Sequence, residues 1–245
     1  MVKQYIVVFL TLLVAAACND LDAPDCLQAA GDTKTFLLET EEFSALEINN
    51  EFEVILQQGS EQKVQLNIGE NLINDISANV EENTLIIADN NGCSWVRPLT
   101  FPKLLITTPS LIQVRQNGGG IIKSDGILGF NNLHLISEGK TGDFELSVNC
   151  DELTITNNNL SNYHITGTVN NLSVGFFAGD GRFEGADLQA DFVNVFQRGT
   201  NDIIVFANKE LTGSIISTGN LIYTKTKPEV LNVSLEGKGK LIFRK

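Results

Sequence analysis

A period of twenty residues constrains this chain more than any other feature. Tyr163, Phe183, Ile203, Tyr223 and Phe243 stand at that spacing, and all are apolar or aromatic. A second row, Leu133, Leu153, Val193 and Val233, runs with them, with Gly213 filling one slot. A third row is glycine: Gly119, Gly139, Gly199 and Gly219. A fixed period of this length marks stacked, equivalent turns of chain. One such turn is two or three short strands joined by bends, and it cannot bury its own apolar face. Stacking at ~4.8 Å lets each strand pair in parallel with its copies above and below. The first row then becomes an internal ladder: Tyr163 on Phe183 on Ile203 on Tyr223 on Phe243.

Strand signals fill each turn. Leu133-His134-Leu135, Leu153-Thr154-Ile155, Leu172-Ser173-Val174 and Val193-Asn194-Val195 point alternate side chains inward. Asn and Gly crowd the corners, where Asn tolerates left-handed backbone and caps its own turn. No helical stripe follows the first seventeen residues. Coils begin near Leu104 and number about seven to the end of the chain. Residues 36–103 alternate without the repeat, as in Phe52-x-Val54-x-Leu56 and, after the turn at Gln57–Glu61, Val64-x-Leu66-x-Ile68. The expected fold is all-β: a right-handed parallel β-helix of about twenty residues per coil, with an antiparallel β lead-in that caps one end.

The N-terminus reads as a targeting segment. Lys3 precedes an apolar run from Tyr5 to Val14, too short to span a bilayer as a helix. Ala15-Ala16-Ala17-Cys18 resembles a bacterial lipobox, in which the Cys becomes lipidated; the alternative is an ordinary cleaved leader that leaves a free thiol. The expected organisation is a signal peptide over 1–17, a lipidated Cys18 with an acidic tether over 18–35, and a β-helix domain over 36–245. The tether resembles surface-export signals of some Bacteroidetes lipoproteins, or is a plain linker. The lipid at Cys18 would be the contact with the membrane, on an outer-membrane protein that is either buried in the envelope or surface-exposed. With a net charge of −13, the chain repels nucleic acid.

Export permits disulfides, and a Cys26–Cys93 bridge would pin the tether to the body. Cys150, at a coil corner, reads as a buried free thiol. No Cys/His cluster suggests a metal, and nothing implies a cofactor. His134 and His164 are the only histidines, and two distant ligands do not make a site.

The corners Ser137–Gly142, Ser217-Thr218-Gly219-Asn220 and Glu236–Gly239, with Ile222-Tyr223 ahead of Pro228 and the lead-in Phe43–Leu56, are similar to those of the auto-transporter adhesin, head GIN domain family. Asn157–Asn159 and Phe176-Phe177-Ala178 depart from its Ser-Gly corners. The resemblance implies an exported β-helix common in Bacteroidetes, without established catalysis.

Two functions remain to be weighed. The first is a non-catalytic, adhesin-like envelope lipoprotein that presents its β-helix to a glycan or protein ligand or as a scaffold. Trp95, Arg97, Phe176 and Phe177 are its candidate contacts, since aromatics and arginine anchor many interfaces. The alternative is a polysaccharide-processing enzyme that uses Asp180, Glu184, Asp187 and Asp191, because paired carboxylates serve glycoside cleavage. Those four would otherwise be a solvated face.

Overall fold

The computed structural model describes residues 29–91, 101–139 and 141–245. Its lead-in strands are β1 (Thr33–Leu38), β2 (Ala45–Asn49), β3 (Phe52–Gln58), β4 (Lys63–Gly69), β5 (Ile76–Glu81), β6 (Thr84–Asp89) and β7 (Lys103–Thr108). The coils follow with β8 (Gln113–Gln116), β9 (Gly120–Leu128), β10 (Asn132–Ser137), β11 (Asp143–Asn157), β12 (Asn162–Phe176) and β13 (Arg182–Gln197). They close with β14 (Ile203–Ile215), β15 (Leu221–Thr224), β16 (Val230–Leu235) and β17 (Leu241–Arg244). β1 therefore begins within the last residues expected of the tether.

The strands stack as a parallel β-solenoid in two columns. The first column runs β6, β2, β8, β10, then the C-terminal halves of β11, β12, β13 and β14, and ends on β16. The second runs β7, β3, β9, then the N-terminal halves of β11 to β14, and ends on β15 and β17. Alternation places one set of side chains inside, so a single continuous apolar core runs the length of the stack.

The lead-in differs from a purely antiparallel cap. β2 and β3 already form a complete parallel rung beneath β8 and β9, and β6 and β7 form another beneath them. Only β1, β4 and β5 are antiparallel. The turn at Gln57–Glu61 therefore does not close a hairpin, because β7 occupies the slot between β3 and β4 and pairs with both. Glu53 and Lys103, neighbours in that register, form an ion pair at 2.9 Å. A true hairpin joins β5 to β6, with Glu82 and Asn83 both at positive φ as a type I′ turn requires.

The twenty-residue ladder holds where it was most exposed to test: Tyr163 lies in register with Phe183, and Phe183 with Ile203. Phe144 extends it upstream, stacked on Tyr163 with ring centroids 4.8 Å apart. The next step slips. Ile203 pairs with Leu221, and Tyr223 lies on Val205. In the second row, Leu172 fills the rung between Leu153 and Val193, Val193 meets Leu211, and Gly213 sits beside Val195. Leu172 departs from the period by one residue, taken up at a corner, whereas the later slips are of two residues and keep every side chain on the same face of its strand. The apolar rows survive while their members change.

At Gly213, φ is +143°, and a Cβ would lie 2.0 Å from the Val195 carbonyl oxygen. At the corner row, the Gly219 N–H donates to the Gly199 carbonyl, and a Cβ there would lie 2.3 Å from the Asn201 oxygen. Glycine is thus the residue that lets successive corners touch. Beneath the corners sit buried amides. Gln197 Nε2 donates to the Asn201 carbonyl at 2.7 Å, while its Oε1 accepts from the Gly199 N–H at 2.9 Å. Asn157 Nδ2 donates to the Asn159 carbonyl at 3.1 Å, and Gln116 Nε2 to that of Gly119 at 3.2 Å. These side chains supply partners that the bent backbone cannot find in a ladder.

Candidate binding groove

Cys18, Cys26, Cys93, Trp95 and Arg97 lie outside the described residues. The other sequence-derived candidates are placed. Phe176 is fully buried, with its ring tilted against Tyr163 at 5.9 Å. Phe177 is 42% exposed, as consecutive strand-like residues on opposite faces demand. Cys150 is a buried free thiol in the core cluster, and desolvation pushes its pKa from 9.0 to about 11. His134 is half-buried, with Nε2 at 2.9 Å from the Thr156 hydroxyl, and burial lowers its pKa. His164 is exposed, in register between Glu145 and Glu184.

The four acidic residues each hold a separate partner. Asp180 accepts from the Thr200 hydroxyl, and Glu184 pairs with Arg182. Asp187 meets Lys225 Nζ at 2.7 Å. Asp191 meets Lys209 Nζ at 2.7 Å and the Asn208 amide at 3.1 Å. Hydrogen bonds from these lysines hold both aspartates below the usual carboxylate range. A general acid needs the opposite shift. Among the described residues, no three His, Cys, Asp or Glu side chains gather as metal ligands.

A different surface is concave. A groove of about 300 Å³ runs across four successive rungs of the first column. Its floor is the outer surface of that closed sheet, and two outward rows border it. One row is Glu152, Asn171, Phe192 and Glu210, in mutual register. The other is Thr154, Ser173, Asn194 and Thr212, two residues further along each strand. At ~4.8 Å per rung the rows run about 14 Å along the solenoid axis.

Aromatic rings stand on both sides. Phe192 is 39% exposed and is steadied by Lys209 Nζ, 5.4 Å from its ring centroid. Phe196, the next outward position after Asn194 on β13, packs against Phe177 with centroids 5.1 Å apart. Gly175 makes room for this, since a Cβ there would lie 2.7 Å from the Phe177 ring. Inside the groove, Asn194 Nδ2 donates to Thr212 Oγ1 at 3.0 Å, and Thr212 Oγ1 to the Val193 carbonyl at 3.3 Å. Glu152, Thr154, Asn171, Ser173 and Glu210 hold no side-chain hydrogen bond or ion pair among the described residues.

Of the side chains around this groove, Phe177 alone is among the sequence-derived candidates. Thr154, Ser173 and Asn194 sit in strands already recognised as inward-alternating, so their outward direction was legible. Their alignment was not. Phe192, in Asp191-Phe192-Val193, was a visible signal, because it puts an aromatic on the outward phase.

Comparison with known proteins places this geometry in a group. The family described as putative auto-transporter adhesin, head GIN domain matches residues 42–226. Among solved structures, a putative adhesin from Bacteroides fragilis is 20% identical, with a TM-score of 0.79 over 87% of this chain and 97% of that one. A putative lipid binding protein from Parabacteroides distasonis is 19% identical, with a TM-score of 0.66 over 88% of this chain and 98% of that one. A putative adhesin from Parabacteroides merdae is 15% identical, with a TM-score of 0.60 over 88% and 97%. Likeness at these identities is likeness of fold. No curated protein matches the sequence. With the family match covering well over half of its length, the chain belongs to the putative auto-transporter adhesin, head GIN domain family.

Proposed function

We propose that this chain is an exported cell-envelope lipoprotein, anchored through Cys18, whose β-helix binds a ligand outside the membrane without catalysis, as an adhesin does. The observation that carries the binding role is the groove: a concave, aromatic-flanked surface on which the side chains of Glu152, Thr154, Asn171, Ser173 and Glu210 have no partner among the described residues. Its family membership and the adhesins that share its fold support the same role. The anchor rests on the apolar run ending at Ala15-Ala16-Ala17-Cys18. The organisation is a leader over 1–17, a tether from 18 towards β1, and the solenoid beyond, with a Cys26–Cys93 bridge tying the tether down. The enzymatic alternative lacks support from its four carboxylates, each of which is engaged by a separate partner.

Metabolic labelling with a clickable palmitate analogue tests the anchor. Label should enter the wild-type chain and vanish in Cys18→Ala; label retained in the variant removes the lipoprotein reading. Whole-cell adhesion tests the role. A deletion strain should bind host or biofilm surfaces less well, and complementation with the full chain should restore it. Equal adhesion by both strains would sink the adhesive reading.

A further inference from the structure

The groove's chemistry points to one class of ligand: we propose that it holds an uncharged oligosaccharide, laid along the solenoid axis with one sugar unit per rung. This rests on the binding role proposed above and names what that site takes.

The dimensions come first. Adjacent rungs repeat at ~4.8 Å, close to the advance of an extended glycan per pyranose unit. A strand-wise ladder therefore offers a polar group to each sugar in turn. Thr154, Ser173, Asn194 and Thr212 form that ladder. Thr154 and Ser173 present hydroxyls that both donate and accept, and Asn194, bonded to Thr212, keeps its Oδ1 and a second Nδ2 proton for a ligand. Sugar hydroxyls need such partners.

The second row adds what a sugar needs besides. Glu152 and Glu210 are free acceptors at either end, and the Asn171 amide stands between them beside Phe192. A carboxylate accepts through two oxygens, matching a vicinal diol. Phe192 offers an apolar ring to the C–H face of a pyranose, and the Phe177–Phe196 pair stands across the ladder on the other side. An amphipathic ligand with hydroxyl edges and apolar faces fits this alternation.

Charge narrows the class. Two unpaired carboxylates in the groove, on a chain of net charge −13, repel uronic, sialylated or sulfated chains. Lys209 is the nearby cation, and it is engaged by Asp191 and by the Phe192 ring. A peptide strand is disfavoured because the groove floor is the outer surface of a closed sheet, with its backbone groups already paired, so no edge is offered for strand addition.

Calorimetric titration of the purified chain with neutral and uronic oligosaccharides of graded length tests the proposal. At least one neutral series should bind, with affinity rising up to about four units and then levelling, as one unit on each of the groove's rungs requires. Uronic analogues should bind about tenfold or more weakly. Phe192→Ala should weaken binding about tenfold. Ser173→Arg should abolish it by filling the groove, while Gln189→Arg, an outward residue of the second column, should leave it unchanged. All three are surface changes, and circular dichroism verifies the fold. No neutral series binding, binding retained in Ser173→Arg, or a groove-dependent peptide ligand would each overturn the proposal. Adhesion that survives periodate oxidation of the target surface overturns the sugar while leaving the adhesive role standing.

Discussion

Replacing Phe183 by Ala probes the ladder at its centre. The ring is fully buried and lies in register between Tyr163 and Ile203, so it packs on a different coil on each side. Removing a buried Phe side chain loses its transfer free energy and leaves a cavity, together about 3–5 kcal/mol. In a domain of this size each kcal/mol moves the melting temperature by roughly 2–4 °C, so a fall of roughly 6–20 °C is expected. Glu184→Ala, one residue on, is the control. Its side chain points out and pairs with Arg182 at the surface, so it should change stability by no more than about 0.5 kcal/mol. Urea unfolding followed by far-UV circular dichroism measures both. Hydrogen exchange adds direction. In a solenoid each turn is supported by its neighbours, so protection should fall first in 144–148 and 203–205 and persist in Val64 to Ile68 of β4, at the capped end. A Phe183→Ala loss under about 1 kcal/mol, or one matched by Glu184→Ala, would refute the stacked register.

Three further outcomes are expected. Gly213→Ala should destabilise by about 1–3 kcal/mol in the same urea experiment, because its backbone is in a region that L-residues avoid and its Cβ meets the Val195 carbonyl. Gln197→Leu leaves the Gly199 N–H and the Asn201 carbonyl without their partner, at about 1–3 kcal/mol for each group, and the Gly199 amide should exchange faster. Cys150 should resist a thiol reagent at pH 8 until the chain unfolds. Because burial raises its pKa from 9.0 to about 11, its contribution to stability is fully present below the lower value and is lost as pH rises through the higher one; Cys150→Ala should flatten that alkaline decline.

The parts of this fold that were legible in the sequence are the ones that burial enforces. Inward positions away from the corners are apolar on most coils, so Tyr163, Phe183 and Ile203 declare the period and the stacking together. Two features escaped for the same physical reason. A slip of two residues leaves a strand's faces unchanged, so the pairing of Ile203 with Leu221 writes no different pattern from pairing with Tyr223. Likewise β2, β3, β6 and β7 carry the same alternation whether they pair in parallel or antiparallel. That β6 and β7 lie beneath β2 and β3 is decided by contacts between segments 39 and 50 residues apart, which no local pattern records.

Outward positions obey a different rule, and this is where function becomes visible. Nothing about burial dictates their identity, and several are satisfied locally by a neighbour on the next rung: Glu53 with Lys103, Lys123 with Glu145, Asp191 with Lys209. Such rungs need only each other. The groove rows have fewer such pairs. Glu152, Asn171 and Glu210 align with Phe192 on one edge, Thr154 and Ser173 on the other, and none of these polar side chains has a partner among the described residues. A row of aligned, unpartnered groups beside exposed rings gains nothing for the solenoid that a lysine–glutamate rung would not supply better. In the proposed binding role, that alignment suits a ligand that repeats along the same axis.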